Sequence, residues 1–183
     1  MRVVRTGLAF SVVAVLAASM LSGCAAGGAV GATAQASTAG NWQITRGVDR
    51  VTGGTLTKVS LSASRTANTR YSSTPNALLQ FACLKGQLIP HFQFAFQVGS
   101  KADSEILYRF DDRSSHSIQG HILRGLKIVV IDDKRETGPF LAELEQSAVL
   151  YLIVNSLTQG RTAAEFPVAG ASAALAAVRA VCH

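Results

Sequence analysis

The sequence lacks an apolar stretch long enough to cross a membrane. Its main uncharged apolar run, from Gly7 to Ala18, is shorter than the roughly 20 residues that a transmembrane helix needs. Arg2 and Arg5 precede this run, and small residues follow it. That layout is typical of a signal peptide. We therefore expect residues 1–23 to be removed when the protein is exported.

The sequence also lacks the patterns of nucleic-acid binding and of common hydrolases. It has 17 Lys and Arg against 11 Asp and Glu, a formal net charge of +6, but the basic residues are spread along the chain and no basic patch is interleaved with aromatics. The segment "GASAA" lacks the second glycine of G-x-S-x-G, and there is no H-E-x-x-H. We predict no enzyme, no cofactor, no metal site and no nucleic-acid partner.

His116 and His121 are the one close pair of histidines. Their odd spacing would put them on opposite faces of a strand, and no cysteine lies nearby to complete a metal site. We interpret them as solvent-exposed loop histidines and not as ligands.

Two pairs of adjacent carboxylates, Asp111-Asp112 and Asp132-Asp133, follow predicted strands. A glycan hydrolase would use two carboxylates about 5 to 9 Å apart. Adjacent Asp residues at strand ends more commonly make turns, in which the side chain bonds the backbone. We favour the turn interpretation.

A cysteine closes the predicted signal peptide. The residues Leu21-Ser22-Gly23-Cys24 resemble the lipobox of bacterial lipoproteins, in which the cysteine is acylated and becomes the mature N-terminus. We expect Cys24 to be lipidated and to anchor the protein at the cell envelope, facing the periplasm. The alternative is an ordinary secretory signal that is cut near an Ala-x-Ala site. Ala25 follows the cysteine, and in the sorting rule of enteric bacteria the absence of Asp there favours the outer membrane.

The remaining chain divides into a linker and one domain. Residues 24–40 are rich in Ala and Gly and carry no charge, which predicts a flexible linker. Residues 41–183 suffice for a single domain. Lipidation of Cys24 leaves Cys83 and Cys182, which we expect to form a disulfide in an oxidising compartment. Two buried free thiols are the alternative.

Alternation of apolar and polar residues predicts several strands in this domain. In "TLTKVSLSAS", Val59, Leu61 and Ala63 share one face. "ALLQFACLKGQLIPHFQFAFQV" predicts a hairpin about Lys85-Gly86-Gln87, with Pro90 marking a bulge or an edge. The further predicted strands are "EILYRFDD", Leu126 to Ile131, "AVLYLIV", and a last one reaching Val168.

Two helices complete the predicted fold. A short helix is expected to start at Thr137-Gly138-Pro139, since proline suits the first turn. An Ala-rich helix after Gly170 would place Leu175, Val178 and Cys182 on its buried face. The polar segment Arg65 to Pro75 is predicted to be a surface loop. The resulting fold class is α+β, a mainly antiparallel, sandwich-like sheet with a short helix and a C-terminal helix packed on it.

Two sets of side chains are candidates for binding. The row Phe92, Phe94 and Phe96 is one possible recognition surface, although such a row on a hairpin usually forms the core. Arg65 and Arg70 are candidates for contact with lipid or murein, with solvation as the alternative.

The order of these features resembles that of a known family. Trp42 is followed by "LLQFACLKGQL", "LYRFDD", "VLYLIV" and "AAEFPVAGASAALAAVRAVC". In this order they resemble the periplasmic proteins associated with type VI secretion loci, the VasI-like family. The resemblance spans Trp42 to Cys182 and implies a small, exported, β-rich module without known catalysis. Structural roles for Cys83 and Cys182 are the only residue roles that it implies.

The functional expectation is therefore a membrane-anchored, non-enzymatic lipoprotein. It would bind an envelope protein, as an accessory of a secretion machine. The alternative is an inhibitor, an immunity lipoprotein or a phage-exclusion protein that blocks a lysozyme, a toxin or phage entry.

Overall fold

The computed structural model describes residues 34–51, 53–69, 77–99, 103–123, 125, 127–156 and 160–183. The predicted signal peptide and Cys24 lie outside these ranges. The strands and helices of the described residues are β1 (Gln35–Ala39), β2 (Trp42–Val48), β3 (Thr55–Ser62), β4 (Arg65–Asn68), β5 (Ala77–Leu84), β6 (Gln87–Phe94), β7 (Asp103–Phe110), β8 (His116–Leu123), β9 (Ile128–Val130), α1 (Lys134–Leu144), β10 (Leu150–Ser156), β11 (Gly160–Phe166) and α2 (Ala171–Arg179).

All the strands belong to one antiparallel sheet in the order β1-β2-β3-β5-β6-β9-β8-β7-β10-β11-β4. Strands β3 and β4 stand third and last in this order, yet only Ala63 and Ser64 separate them. The sheet must therefore curl until its far edge meets β3. Two hydrogen bonds mark the crossing: the Ala63 amide donates to the Ala77 carbonyl on β5 (2.9 Å), and the Ser64 amide donates to the Glu165 carbonyl on β11 (2.8 Å).

The curled sheet encloses one hydrophobic core. Phe92 on β6 contacts Phe166 on β11, with ring centroids 5.7 Å apart, although these strands are not neighbours in the sheet. Phe140 of α1 packs edge-on against Phe92 and against Tyr108 of β7. Opposite parts of the sheet thus face each other across the core. The predicted fold class, α+β with a mainly antiparallel sheet and two packed helices, is confirmed.

The predicted hairpin is confirmed, with β5 and β6 joined by Lys85 and Gly86. Both turn residues have positive φ, 51° and 73°, as a two-residue type I′ turn requires. Glycine meets this requirement without steric cost. Pro90 lies on β6, which is an interior strand, opposite Phe81 of β5 and next to His91, where the pairing of β6 with β9 begins, so Pro90 does not lie on an edge strand.

Helix α1 begins earlier than the sequence suggested. Its N-cap is Asp133, whose side chain accepts a hydrogen bond from the Arg135 amide (2.9 Å). Pro139 therefore lies inside the helix and not in its first turn, so the predicted start was wrong by one turn. The Asp at a strand end supplied the better signal, because Asp is a preferred N-cap residue.

Helix α2 is fixed by close contacts with the start of the domain. The Trp42 indole nitrogen donates to the Val168 carbonyl (3.0 Å). Gly170 has φ +89°, and a Cβ there would come within 2.9 Å of the Ala39 carbonyl oxygen. The buried side of α2 carries Ala171, Ala174, Leu175 and Val178. Its small residues allow the helix to lie close to the sheet.

Three other predictions need correction. Residues Gln35–Ala39, expected to belong to a flexible linker, form β1 and pair with β2. The expected loop from Arg65 starts with strand β4, and Arg70 to Pro75 lie outside the described residues. The strand expected from Leu126 to Ile131 is only β9, Ile128–Val130.

Replacing Gly170 by alanine tests the contact at the start of α2. The variant Gly170→Ala should lower the free energy of unfolding by about 1 to 3 kcal/mol, because a side chain there is strained at positive φ and meets the Ala39 carbonyl. Gly47→Ala on β2 is the control, since nothing lies within 4 Å of its added Cβ. Urea denaturation measures both variants, and an equal change in the two would contradict this account.

Candidate functional site

The structure brings Cys83 and Cys182 to disulfide distance. Their Sγ atoms are 2.01 Å apart and their Cα atoms 5.5 Å apart, across 99 residues of sequence. This proximity confirms the expected pair. Cys182 does not lie on α2 as predicted, however, but three residues beyond its last residue, Arg179. The bridge ties the end of the chain to the β5–β6 hairpin.

The candidate catalytic carboxylates have structural partners. Asp111, at φ 48°, accepts hydrogen bonds from the amides of Ala148 and Val149. Asp133 caps α1, and the Arg135 hydrogen bond lowers the pKa of its carboxyl. Asp111 and Asp112 lie in a turn, as predicted, whereas Asp132 and Asp133 do not, because Asp133 is the N-cap of α1.

His116 and His121 both lie on β8 and not in a loop, so that prediction was wrong. The Nδ1 atom of His121 is 2.8 Å from a carboxylate oxygen of Asp132. His116 stacks on Tyr108 at 4.9 Å, and its Nε2 lies 3.3 Å from Glu143. Within the described residues, no group of three His, Cys, Asp or Glu side chains is placed to hold a metal ion.

Tyr108, on which His116 stacks, has a raised pKa. Its side chain is buried in the core. Burial is the main cause that raises its pKa from 10.0 to about 12, and the negative charges of Glu143 and Glu136 raise it further. The neutral phenol is therefore favoured, as suits a core residue with no acid–base role at neutral pH.

An apolar depression lies on the outer side of the sheet, across β7, β10, β11 and β4. We call it the outer groove, and its volume is about 390 Å³. The strand register arranges its side chains in two rows. The charged row is Arg109, Tyr151, Glu165 and Arg65. The apolar row is Leu107, Ile153, Ala163 and Ala67.

The depth of the outer groove follows from residue size along the apolar row. Leu107 and Ile153 form one wall, whereas Ala163 and Ala67 leave space on the next two strands. Outward positions on a sheet are usually polar where they face water. An apolar outward row on adjacent strands is therefore unusual, and it is the kind of surface that marks an interaction site.

The charged row lines the same groove. The guanidinium carbon of Arg109 lies 4.8 Å from the centre of the Tyr151 ring, a cation–π contact. Glu165 stands directly between Tyr151 and Arg65 in the register. Arg109 and Arg65 are exposed and lie at the two ends of the row. An apolar surface next to two guanidinium groups suits an apolar ligand that carries a carboxylate.

The sequence-based candidates fall only partly on this groove. Phe92 and Phe94 are core residues, as the structural interpretation of that row expected. Phe96 is half-buried beyond the end of β6 and packs against the core. Arg65 lies on the groove, while Arg70 is outside the described residues.

The groove itself was missed. A signal was available in "VLYLIV", where apolar residues occupy outward as well as inward positions of β10. A continuous apolar run usually indicates a fully buried strand, so the run by itself does not distinguish an exposed apolar row from a buried one.

Comparison with known proteins gives no assignment. No protein-family model, curated protein or solved structure matches this chain. Within the described residues, neither helix is long and apolar enough to cross a membrane.

Alkaline unfolding tests the environment of Tyr108. The pKa of Tyr108 in the folded protein lies above its value in the unfolded chain, so the unfolded chain loses the phenolic proton at lower pH. The contribution of this phenol to stability is therefore present below pH 10 and is lost as the pH rises towards 12. Between pH 9 and pH 12 the wild type should lose about 2 kcal/mol more unfolding free energy than Tyr108→Phe. Urea titrations of both proteins measure this difference. Equal losses of unfolding free energy in the two proteins would show that the pKa of the Tyr108 phenol is not raised.

Proposed function

We propose that the protein is a lipid-anchored, non-enzymatic binding module of the bacterial cell envelope, which holds a segment of a partner protein in the outer groove. The observation that carries this proposal is the groove itself, an apolar row on the outside of the sheet beside a second row that begins and ends with an exposed arginine. Fixed strands hold the groove, so little ordering is needed when a ligand binds.

The proposed ligand is an extended protein segment with an apolar side chain next to an acidic one. The apolar side chain would lie over Ala163 and Ala67, where the groove has space. The carboxylate would reach the guanidinium of Arg109 or Arg65, since arginine binds carboxylates with two parallel hydrogen bonds. Without Arg2 and Arg5 of the expected signal peptide, 15 basic residues stand against 11 acidic ones, a net charge of +4, which favours the approach of an acidic partner.

The anchor is the lipidated Cys24 expected from the sequence. With β1 starting at Gln35, the tether shortens to residues 25–34. The linker that the sequence predicts would, at that length, have a root-mean-square reach of about 17 Å. The domain is thereby kept next to the membrane, where its partner should be found.

Anchoring through Cys24 predicts that the Cys24→Ser variant leaves the membrane fraction. Wild-type protein should stay with the membranes in high salt and be released by detergent. The variant should lose acylation, as labelling with an alkyne fatty acid would show. Wild-type protein that carries no label would contradict the anchor, whatever its distribution.

The binding surface can be tested by photo-crosslinking in living cells. Benzoylphenylalanine at Ala67, in the groove, should give an adduct of defined mass, whereas the same group at Ala36 should give none. Both alanines are exposed and lie on edge strands, β4 and β1. Arg109→Glu should reduce the Ala67 adduct by about tenfold, because it removes the partner of the ligand carboxylate.

The result also separates the two expected classes of partner. An adduct with a secretion component supports the accessory role, and an adduct with a lysozyme or a toxin supports the inhibitor role. If Ala67 gives no adduct, or if both positions give the same adduct, the outer groove is not the binding surface.

A further inference from the structure

A second surface lies at one end of the sheet, where the register brings three parts of the chain together. Gln35 at the start of β1 pairs with Arg46, and Val48 pairs with Thr55 across the β2–β3 turn. Strands β3 and β5 are neighbours, and Leu84 precedes the β5–β6 turn at the same end. We call this surface, formed by the two turns and the start of β1, the turn end.

Exposed apolar side chains concentrate at the turn end. Five large hydrophobic residues are exposed within the described residues, and four of them lie here: Val48 (51%), Val51 (93%), Leu56 (55%) and Leu84 (58%). The fifth, Leu123, lies elsewhere. It pairs with Ile128, which in turn pairs with Gln93 near the opposite end of β6 from the β5–β6 turn. The apolar residues are therefore not scattered evenly over the surface.

The turn end is also basic. Residues 34–51, 53–62 and 77–94 contain one acidic residue, Asp49, and its carboxylate accepts a hydrogen bond from the Val51 amide within the β2–β3 turn. The same ranges contain four exposed basic residues, Arg46, Arg50, Lys58 and Lys85.

A basic cleft continues this surface beside the disulfide. Lys85, Lys134 and Arg179 line it together with Cys182. Arg179 pairs with Glu145, and His183 lies against Gly86. Even with the Glu145 carboxylate counted, basic groups are in excess at this end.

We propose that the turn end rests on the anionic surface of the bilayer that holds the lipid anchor. Apolar side chains among basic ones are the composition of a protein surface that lies in the membrane interface, where the apolar groups enter the headgroup region and the cations bind anionic lipids. The position of the tether agrees, because residues 25–34 join Cys24 to β1 at this end. The proposal rests on the anchoring part of the proposed function and fixes the orientation of the anchored domain.

Tryptophan fluorescence tests this orientation. The anchored protein carrying Val51→Trp or Leu123→Trp is placed in vesicles of phosphatidylethanolamine and phosphatidylglycerol with brominated acyl chains, which quench nearby indoles. The native Trp42 is fully buried and gives the same background in both. We expect quenching at position 51 and none at position 123, with weaker quenching in phosphatidylcholine vesicles. Equal quenching at both positions, or none at either, overturns the proposal.

Charge reversal provides a second readout with a matched control. Lys85→Glu should reduce binding to phosphatidylglycerol vesicles by at least about fivefold, since one basic group near the surface contributes that much. Lys127→Glu, on the turn that follows Leu123, should leave binding unchanged. Equal effects of the two substitutions contradict the proposal.

The mass of the peptide that contains Cys24, measured in the same preparation, distinguishes a failure of the proposed anchor from a failure of the proposed orientation. If it is not acylated, the proposed anchor fails, but the protein can still be added to the vesicles and the quenching measured. If it is acylated and position 51 is not quenched, the anchor stands and the orientation is wrong.

Discussion

The segment from Thr55 to Asn68 supplies both the third strand of the sheet, β3, and the last, β4, and the rest of the structure depends on this crossing. Its first half pairs with β2 and β5, and its second half pairs with β11. Because only Ala63 and Ser64 lie between the two halves, the far edge of the sheet must come round to β3. The inward side chains of the strands are thereby enclosed in one core, and the outward ones form a continuous surface.

Two parts of that outward surface differ from an ordinary solvated sheet. In the outer groove, small side chains at Ala163 and Ala67 create space and two arginines supply charge. At the turn end, exposed Val and Leu side chains lie among basic ones. The groove has a defined floor and suits a specific ligand, whereas the exposed Val and Leu side chains of the turn end, set among basic groups, suit a broad, anionic surface. The proposed partner occupies the outer groove, and the proposed membrane contact uses the turn end.

The covalent and close-packed contacts of the C-terminal segment hold the turn end together. Cys182 is joined to the β5–β6 hairpin, and α2 is held at its other end by Gly170 against Ala39 and by Trp42. By chain entropy, a bridge across a loop of 99 residues restricts the unfolded chain by about 4 to 5 kcal/mol. This is a large contribution for a domain whose net stability is expected to be about 5 to 15 kcal/mol.

Alternation and turn chemistry made much of the fold predictable. Lys85-Gly86 identified the hairpin, and alternating residues identified β3 and β7, because each signal is local and strong. Strand β4 was missed, since "RTAN" is polar and forms a strand only because β11 offers it a partner across 94 residues of sequence. β1 was missed for the same reason: its small residues gain a partner in β2. The outer groove depends on the register of four strands, two of which are far apart in the chain, and no local pattern encodes that register.

The central claim is that this domain works at a bilayer to which Cys24 ties it. The most direct measurement is the mass of the N-terminal peptide of the mature protein isolated from bacterial membranes. The account predicts a peptide that begins at Cys24 and carries diacylglycerol on its sulfur. A mature protein that begins at another residue, or that carries an unmodified thiol at position 24, would contradict it.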